Sequence, residues 1–289
     1  MSIRLILGAS LLALISSAAL AQSKPPAAKP ADKPQTAQPA QPAATGDLIK
    51  DGLASLEAKN YEAALKAFNE AYNAGQADGA FYLGRMLELG VGLEGDPEKA
   101  RLLYLAAADK GSAKAMNRVG LMSFRGEGML QDYKTAREMI CKSADLGDAD
   151  AEFNCAGLLA QGQGGSKDIA KAMTYYAKAA DHGHIGAMNA LGFAYRDGSN
   201  GAKDLEKARA YFEKAALKGN PVGLYEIGIM LEAGNPIPKD LGKAHLYYNL
   251  ASARQHPQAS IALQRVSEAL SPEDVEKAQA AARSWKAAE

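Results

Sequence analysis

The chain has 289 residues, 33 Lys plus Arg against 33 Asp plus Glu, and a formal net charge of zero. That balance excludes the strongly basic surface needed for non-specific nucleic-acid binding; two Cys and four His leave no material for a zinc ribbon or a disulfide-dense miniprotein. With 47% apolar residues and 28 Gly, long uninterrupted helices are excluded too, and regular punctuation is expected.

Arg4 precedes an apolar stretch from Leu5 to Ile15, which runs on to Ala19-Leu20-Ala21. This pattern predicts a cleavable secretory signal peptide over residues 1–21 and a periplasmic or secreted product. The run is shorter than the roughly 20 residues that span a bilayer, so no stable membrane anchor is expected. Residues 22–46 hold six Pro among Ala, Gln and three Lys. Such a segment buries too little apolar surface to offset its ordering entropy, which predicts a disordered Pro/Ala-rich linker.

From residue 77 a 36-residue repeat organises the chain. Asp recurs at Asp96, Asp132, Asp168, Asp204 and Asp240, followed four positions later by Ala100, Ala136, Ala172, Ala208 and Ala244. Gly90, Gly126, Gly162, Gly198 and Gly234 keep the same step, as do Gly111, Gly147, Gly183 and Gly219, with Gln255 in the fifth place. An inner column is Gly84, Gly120, Ala156, Gly192 and Gly228. Each copy predicts two helices. The first ends at the Gly90 column, a natural left-handed cap, and the second starts at the Asp column, where a side-chain N-cap is worth about 1 kcal/mol. A glycine inside the first helix costs about 1 kcal/mol against Ala; its recurrence predicts a close helix–helix crossing that excludes a side chain. One pair cannot cover its own apolar face, so stacked neighbours supply the core.

Residues 47–76, with Gly52, Ala64, Phe68 and Ala71, resemble a tetratricopeptide unit and predict an N-terminal capping unit. Residues 257–289 predict C-terminal capping helices, one starting at Ser271-Pro272-Glu273-Asp274, with Trp285 as a packing plug.

The columns over residues 77–256 resemble the Sel-1-like repeat, a relative of the tetratricopeptide repeat. The pattern is carried by Ala80-Phe-Tyr-Leu-Gly84, Gly90-Val-Gly92, Asp96-Pro-Glu-Lys-Ala100, Ala107-Ala108 and Gly111, and it recurs five times. The resemblance implies an all-α, right-handed α/α solenoid of antiparallel helix pairs that binds partners instead of catalysing a reaction. It also implies that first helices line the concave groove. There the stripe holds Phe81, Arg85, Glu88, Asn117, Leu121, Phe124, Phe153, Asn189, Phe193, Arg196, Tyr225, Ile229 and Glu232, with Arg125 beside it. Aromatics, Asn and Arg suit an extended peptide or protein partner; Phe81, Phe153 and Tyr225 have the alternative of packing between repeats. The resemblance further implies an adaptor in envelope assembly, signalling or host contact, and a monomer is expected.

Cys141 and Cys155 lie seven residues either side of the turn at Asp148, so antiparallel packing brings them to one height, and an exported compartment permits oxidation. Cysteine-rich members of the family staple this same helix pair, which favours a disulfide. The rival is two buried thiols, because Cys155 fills the column of Leu83, Val119, Leu191 and Ile227.

Other chemistry is sparse. The glycine loops, Gln161-Gly-Gln-Gly-Gly-Ser166 above all, join two helices, so they are punctuation and not phosphate cradles. His182-Gly-His184 has no metal-binding companions, and no metal, cofactor or catalytic residue is expected. An alternative function is a cell-wall protein or enzyme that binds peptidoglycan or a β-lactam, although the Ser-x-x-Lys pair of such chemistry is absent from the sequence.

Overall fold

The computed structural model describes residues 47–199, 201 and 203–288, so the expected signal peptide and linker lie outside the described residues. Within them the chain folds as fourteen helices and no strands. The N-terminal unit is α1 (Leu48–Glu57) and α2 (Tyr61–Asn73). The five repeats are α3 (Ala77–Leu89) with α4 (Pro97–Asp109), α5 (Ala113–Arg125) with α6 (Tyr133–Asp145), α7 (Ala149–Gln161) with α8 (Ile169–Asp181), α9 (Ile185–Asp197) with α10 (Leu205–Leu217), and α11 (Pro221–Ala233) with α12 (Leu241–Ala253). Two last helices, α13 (Ala259–Glu268) and α14 (Pro272–Ser284), both pack on α12.

Local chemistry sets these boundaries. All five Asp residues of the predicted column cap a second helix, each accepting from the backbone N–H three residues on, with Thr135 and Lys134 both donating to Asp132. Each of the five first helices ends on its glycine at φ between 63° and 74°, where a Cβ would be strained. Gln255 takes φ 62° where earlier repeats have glycine, an uncommon conformation for a residue with a Cβ.

Each helix packs on the next, and the core runs the length of the stack. The Ala100 column is fully buried, which lets second helices approach the first closely. One turn further along the same helix faces sit Phe68, Tyr104, Ile140, Phe212 and Tyr248, all buried.

The inner glycine column works differently from the crossing expected of it. A Cβ on Gly84 would lie 2.8 Å from the Tyr104 ring, on Gly120 2.5 Å from Ile140, on Gly192 2.5 Å from Phe212, and on Gly228 2.6 Å from Tyr248. The glycine therefore seats a large side chain from the partner helix; it does not chiefly bring two backbones together. Backbone crossings do occur at Gly79 and Gly223, where a Cβ would meet main-chain nitrogen at 2.5 Å and 2.7 Å. In the third repeat Ala156 fills the seat, and Tyr176, the corresponding ring, is only partly buried.

Cys141 of α6 and Cys155 of α7 are joined by a disulfide, with Cα atoms 5.0 Å apart. It links the second and third repeats, and Cys155 still occupies its apolar column with no exposure. At the C-terminal end, α14 closes its first turn with Ser271 accepting from the Asp274 N–H, and Trp285, just past the helix, packs against the last core cluster with Arg254 over its ring. No helix among the described residues is long and apolar enough to cross a membrane.

Candidate functional site

First helices of successive repeats touch one another, α3 on α5 and α5 on α7, as expected of an inner wall. The stripe residues lie along these helices, at their repeat-equivalent places. At the N-terminal end Phe81 and Arg85 line a shallow apolar cavity of about 230 Å³ together with Leu56, Tyr82, Met86, Leu89 and Val91.

Most charged stripe residues turn out to hold neighbouring repeats together. Glu88 accepts from the Tyr104 hydroxyl at 2.7 Å, from Arg85 at 2.9 Å, and from Arg118 of the next repeat. Burial works to raise the Glu88 carboxyl, but the bonds from Arg118 and Tyr104 outweigh it and hold the group below its ordinary range. Burial and the Glu88 carboxylate together push the Tyr104 phenol well above its usual value. Arg118 reaches on to Glu127 at 2.9 Å, which also pairs with Arg125 at 3.2 Å.

Three repeats later the same two places carry the opposite signs. Arg196 replaces Glu88, Glu226 replaces Arg118, and Arg196 Nη1 donates to both Glu226 oxygens at 2.8 and 2.9 Å. Arg196 also holds Asp197 at 2.7 Å. The Glu226 side chain is 8% exposed; its burial raises the carboxyl above the ordinary range in spite of the guanidinium. At the C-terminal end Glu232 accepts from Tyr248 at 2.7 Å and from Arg265 through two nitrogens at 2.8 Å.

A second set of ties joins the first stripe position to the residue 31 positions on, which caps the next helix in the case of His184 and Asn220 and precedes α13 in the case of His256. Phe153 stacks on His184 with centroids 4.4 Å apart, Tyr225 stacks on His256 at 4.1 Å, and Asn189 donates to Asn220 at 3.1 Å. Asn117 is buried and instead accepts from Asn154 at 3.1 Å. Phe124 meets Tyr133 edge-on, while Phe193 lies between Phe212 and the Arg196 guanidinium. His182 bonds the buried Glu152 through Nδ1 at 2.8 Å, and among the described residues no group of three or more His, Cys, Asp or Glu is arranged to hold a metal.

The stripe residues thus follow one another along the first helices, and about half of them are tied across repeat junctions. Arg85, Phe124 and Phe193 make their contacts within their own repeat, and Arg125 beside them has 58% of its side chain exposed. Sequence reasoning missed the partners Arg118, Asn154, His184, Asn220, Glu226, His256 and Arg265. Their signal was available as spacing, since every tie joins residues 30 to 37 positions apart, about one repeat.

Tandem helix pairs, buried small-residue columns and an inner wall built from one helix per repeat define an α-solenoid repeat protein. The chain belongs to the Sel1 repeat family, which matches residues 77–112, 113–148, 149–184, 185–220 and 221–256. Among solved structures it is similar to a Sel1 repeat protein from Oxalobacter formigenes, at 26% identity and TM-score 0.67, covering 85% of this chain and all of the other. It is also similar to a protective antigen of uropathogenic Escherichia coli displaying an SLR fold, at 23% identity and TM-score 0.68, over 81% of this chain. The chain spans about half, 52%, of that antigen's length. No curated protein matches the chain.

Proposed function

We propose that this chain is an exported, monomeric scaffold whose inner wall holds a segment of a partner protein, in envelope assembly or signalling, and that it binds without catalysing a reaction. The observation that carries the reading is the inner wall itself. It runs through five repeats, presents aromatic, amide and guanidinium groups, and is held rigid by ties between repeats, so a bound segment meets a surface already ordered. Export is supported by Arg4 with the apolar run behind it, and by a disulfide, which persists in oxidising compartments.

Photo-crosslinking in cells from a residue placed at Arg125 tests the binding reading, with the outer-face position Glu138 of α6 as comparison. Discrete protein adducts from Arg125 alone are expected. Identical adducts from both positions, or none from Arg125, would overturn it. Fractionation of a tagged chain tests export; a cytoplasmic product of unprocessed length rejects it.

A further inference from the structure

The inner wall changes character at its N-terminal end, where α1 and α3 meet. Val91 stands where the four later repeats have Glu127, Gln163, Ser199 and Asn235, all of them polar. Leu89 stands where they have Arg125, Gln161, Asp197 and Ala233, none of them a large apolar residue. On α1, Gly52 seats Phe68 as Gly84 seats Tyr104, so Leu56 holds the place that Glu88 holds on α3. Glu88 reaches across its junction to Arg118, an ion pair that Leu56 cannot make. Leu56, Leu89 and Val91 instead line the cavity of about 230 Å³ together with Phe81. Leu89 is 60% exposed, and Leu53, one turn before Leu56, is 36% exposed. Large aliphatic groups left in water around one depression mark a contact surface, where singly scattered ones would not.

One charged residue lines this cavity, Arg85. Its side chain is 43% exposed, and among the described residues only its Nη1 is engaged, by Glu88. The same carboxylate already accepts from Tyr104 and Arg118. In the cluster that follows, Arg85, Arg118 and Arg125 set three guanidinium groups against the two carboxylates of Glu88 and Glu127, an excess of one positive charge. Further along the wall the balance reverses, because Arg196 alone faces Asp197 and Glu226. Neither Glu57 nor Glu94, the acids next in sequence to the cavity's own residues, lines it.

We propose that this cavity is the anchor site of the groove and that the partner segment it takes is an acidic peptide. One large apolar side chain of the segment enters between Leu56, Leu89 and Val91, and an Asp or Glu beside it pairs with the Arg85 guanidinium. A basic segment would meet the excess positive charge, and a wholly apolar one would cover Arg85 without a counter-ion; both are disfavoured. An apolar pocket with one charged group at its edge is the usual pattern of a site that anchors by burial and selects by charge. The inference rests on the groove assignment above.

The test uses short random linear peptides displayed on phage and selected on the full chain. Enriched peptides are synthesised, their Kd is measured on wild type and variants, and benzophenone versions are crosslinked and mapped. The variants are Arg85→Gln, the double change Leu89→Gln with Val91→Gln, and Leu217→Gln on α10 as an exposed apolar control. The double change gives the first repeat the pair that the third carries at Gln161 and Gln163, and circular dichroism and melting temperature check that each variant folds. Enriched peptides should share one large apolar residue next to an Asp or Glu, and crosslink to α1 and α3. The double variant should weaken binding roughly tenfold or more, the size of an interface anchor. Arg85→Gln should weaken it about fivefold, the size of a partly exposed ion pair, and should reduce its salt dependence. Leu217→Gln should bind as wild type. Enriched peptides lacking an acidic residue, or full affinity for Arg85→Gln, would overturn the acidic partner. Full affinity for the double variant, with crosslinks on α5, α7 or α9, would overturn the cavity and leave the groove standing. Crosslinks confined to second helices, or no enriched peptide, would overturn both.

Discussion

Arg196 donates from one nitrogen to both carboxylate oxygens of Glu226 across the junction of the fourth and fifth repeats, and Glu226 is nearly covered. Removing the guanidinium leaves a carboxylate that neither water nor protein compensates. Arg196 is itself 36% exposed, which moderates the loss, so Arg196→Ala should cost about 1–2 kcal/mol in urea unfolding. Glu226→Gln, which removes the buried charge, should cost less. Because burial holds the folded Glu226 carboxyl above its unfolded value, the folded state takes up that proton first on acidification. Stability therefore gains from this group as pH falls through its raised range, and Arg196→Ala should recover part of its deficit there relative to wild type. Equal deficits at pH 7 and pH 5 would refute this account.

Glycine substitutions should separate the two kinds of intrahelical glycine. A Cβ on Gly192 would press on the fully buried Phe212 ring, so Gly192→Ala should destabilise by about 1–3 kcal/mol through overpacking. Gly157 has room, and Gly157→Ala should stabilise by about 0.5–1 kcal/mol through helix propensity. Thermal melts of the two variants should move in opposite directions.

The disulfide closes a loop between residues 14 apart in sequence. On chain-entropy grounds its reduction should lower stability by about 3 kcal/mol. Denaturant midpoints with and without a reductant measure this, and thiol titration of the unreduced, denatured protein should find no free thiol. Two titratable thiols would show that the bridge does not form.

His245 is buried, and its Nδ1 has no hydrogen-bond partner among the described residues. Desolvation depresses its pKa, and that of the partly exposed His256, below the ordinary value of about 6.5. The unfolded chain thus binds these protons at higher pH than the folded one, and stability should decline as pH falls below about 6.5. His245→Gln should flatten the slope between pH 6.5 and pH 5. An unchanged slope would remove His245 from the explanation.

The repeat length, the caps and the small-residue columns were legible in sequence because each rests on the chemistry of one residue at one place. Asp96 caps a helix in any context, and Gly90 takes a left-handed conformation that few other residues accept. The inner wall was less legible because its chemistry belongs to pairs. Glu88 looks like a free acid until Arg118 is set against it, and Asn117 like a peptide-binding amide until Asn154 is. The Gly84 column was visible, but not what fills its space, because the answer lies twenty residues on at Tyr104, Ile140, Phe212 and Tyr248. Where Ala156 takes the place of the glycine, Tyr176 is only partly buried while its equivalents in the other repeats are buried.

Repeats of one length and one architecture carry a hazard of their own: any first helix offers a plausible surface to the wrong neighbour. The exchanged signs at the Glu88–Arg118 and Arg196–Glu226 junctions act against such mispairing. If the first repeat stacked directly on the fifth, Glu88 would face Glu226. If the fourth took the place before the second, Arg196 would face Arg118. Each shuffled order sets like charges together in a partly dry junction, whereas the chain's own order sets opposites, so the succession of repeats is written into their contacts as well as into the covalent chain.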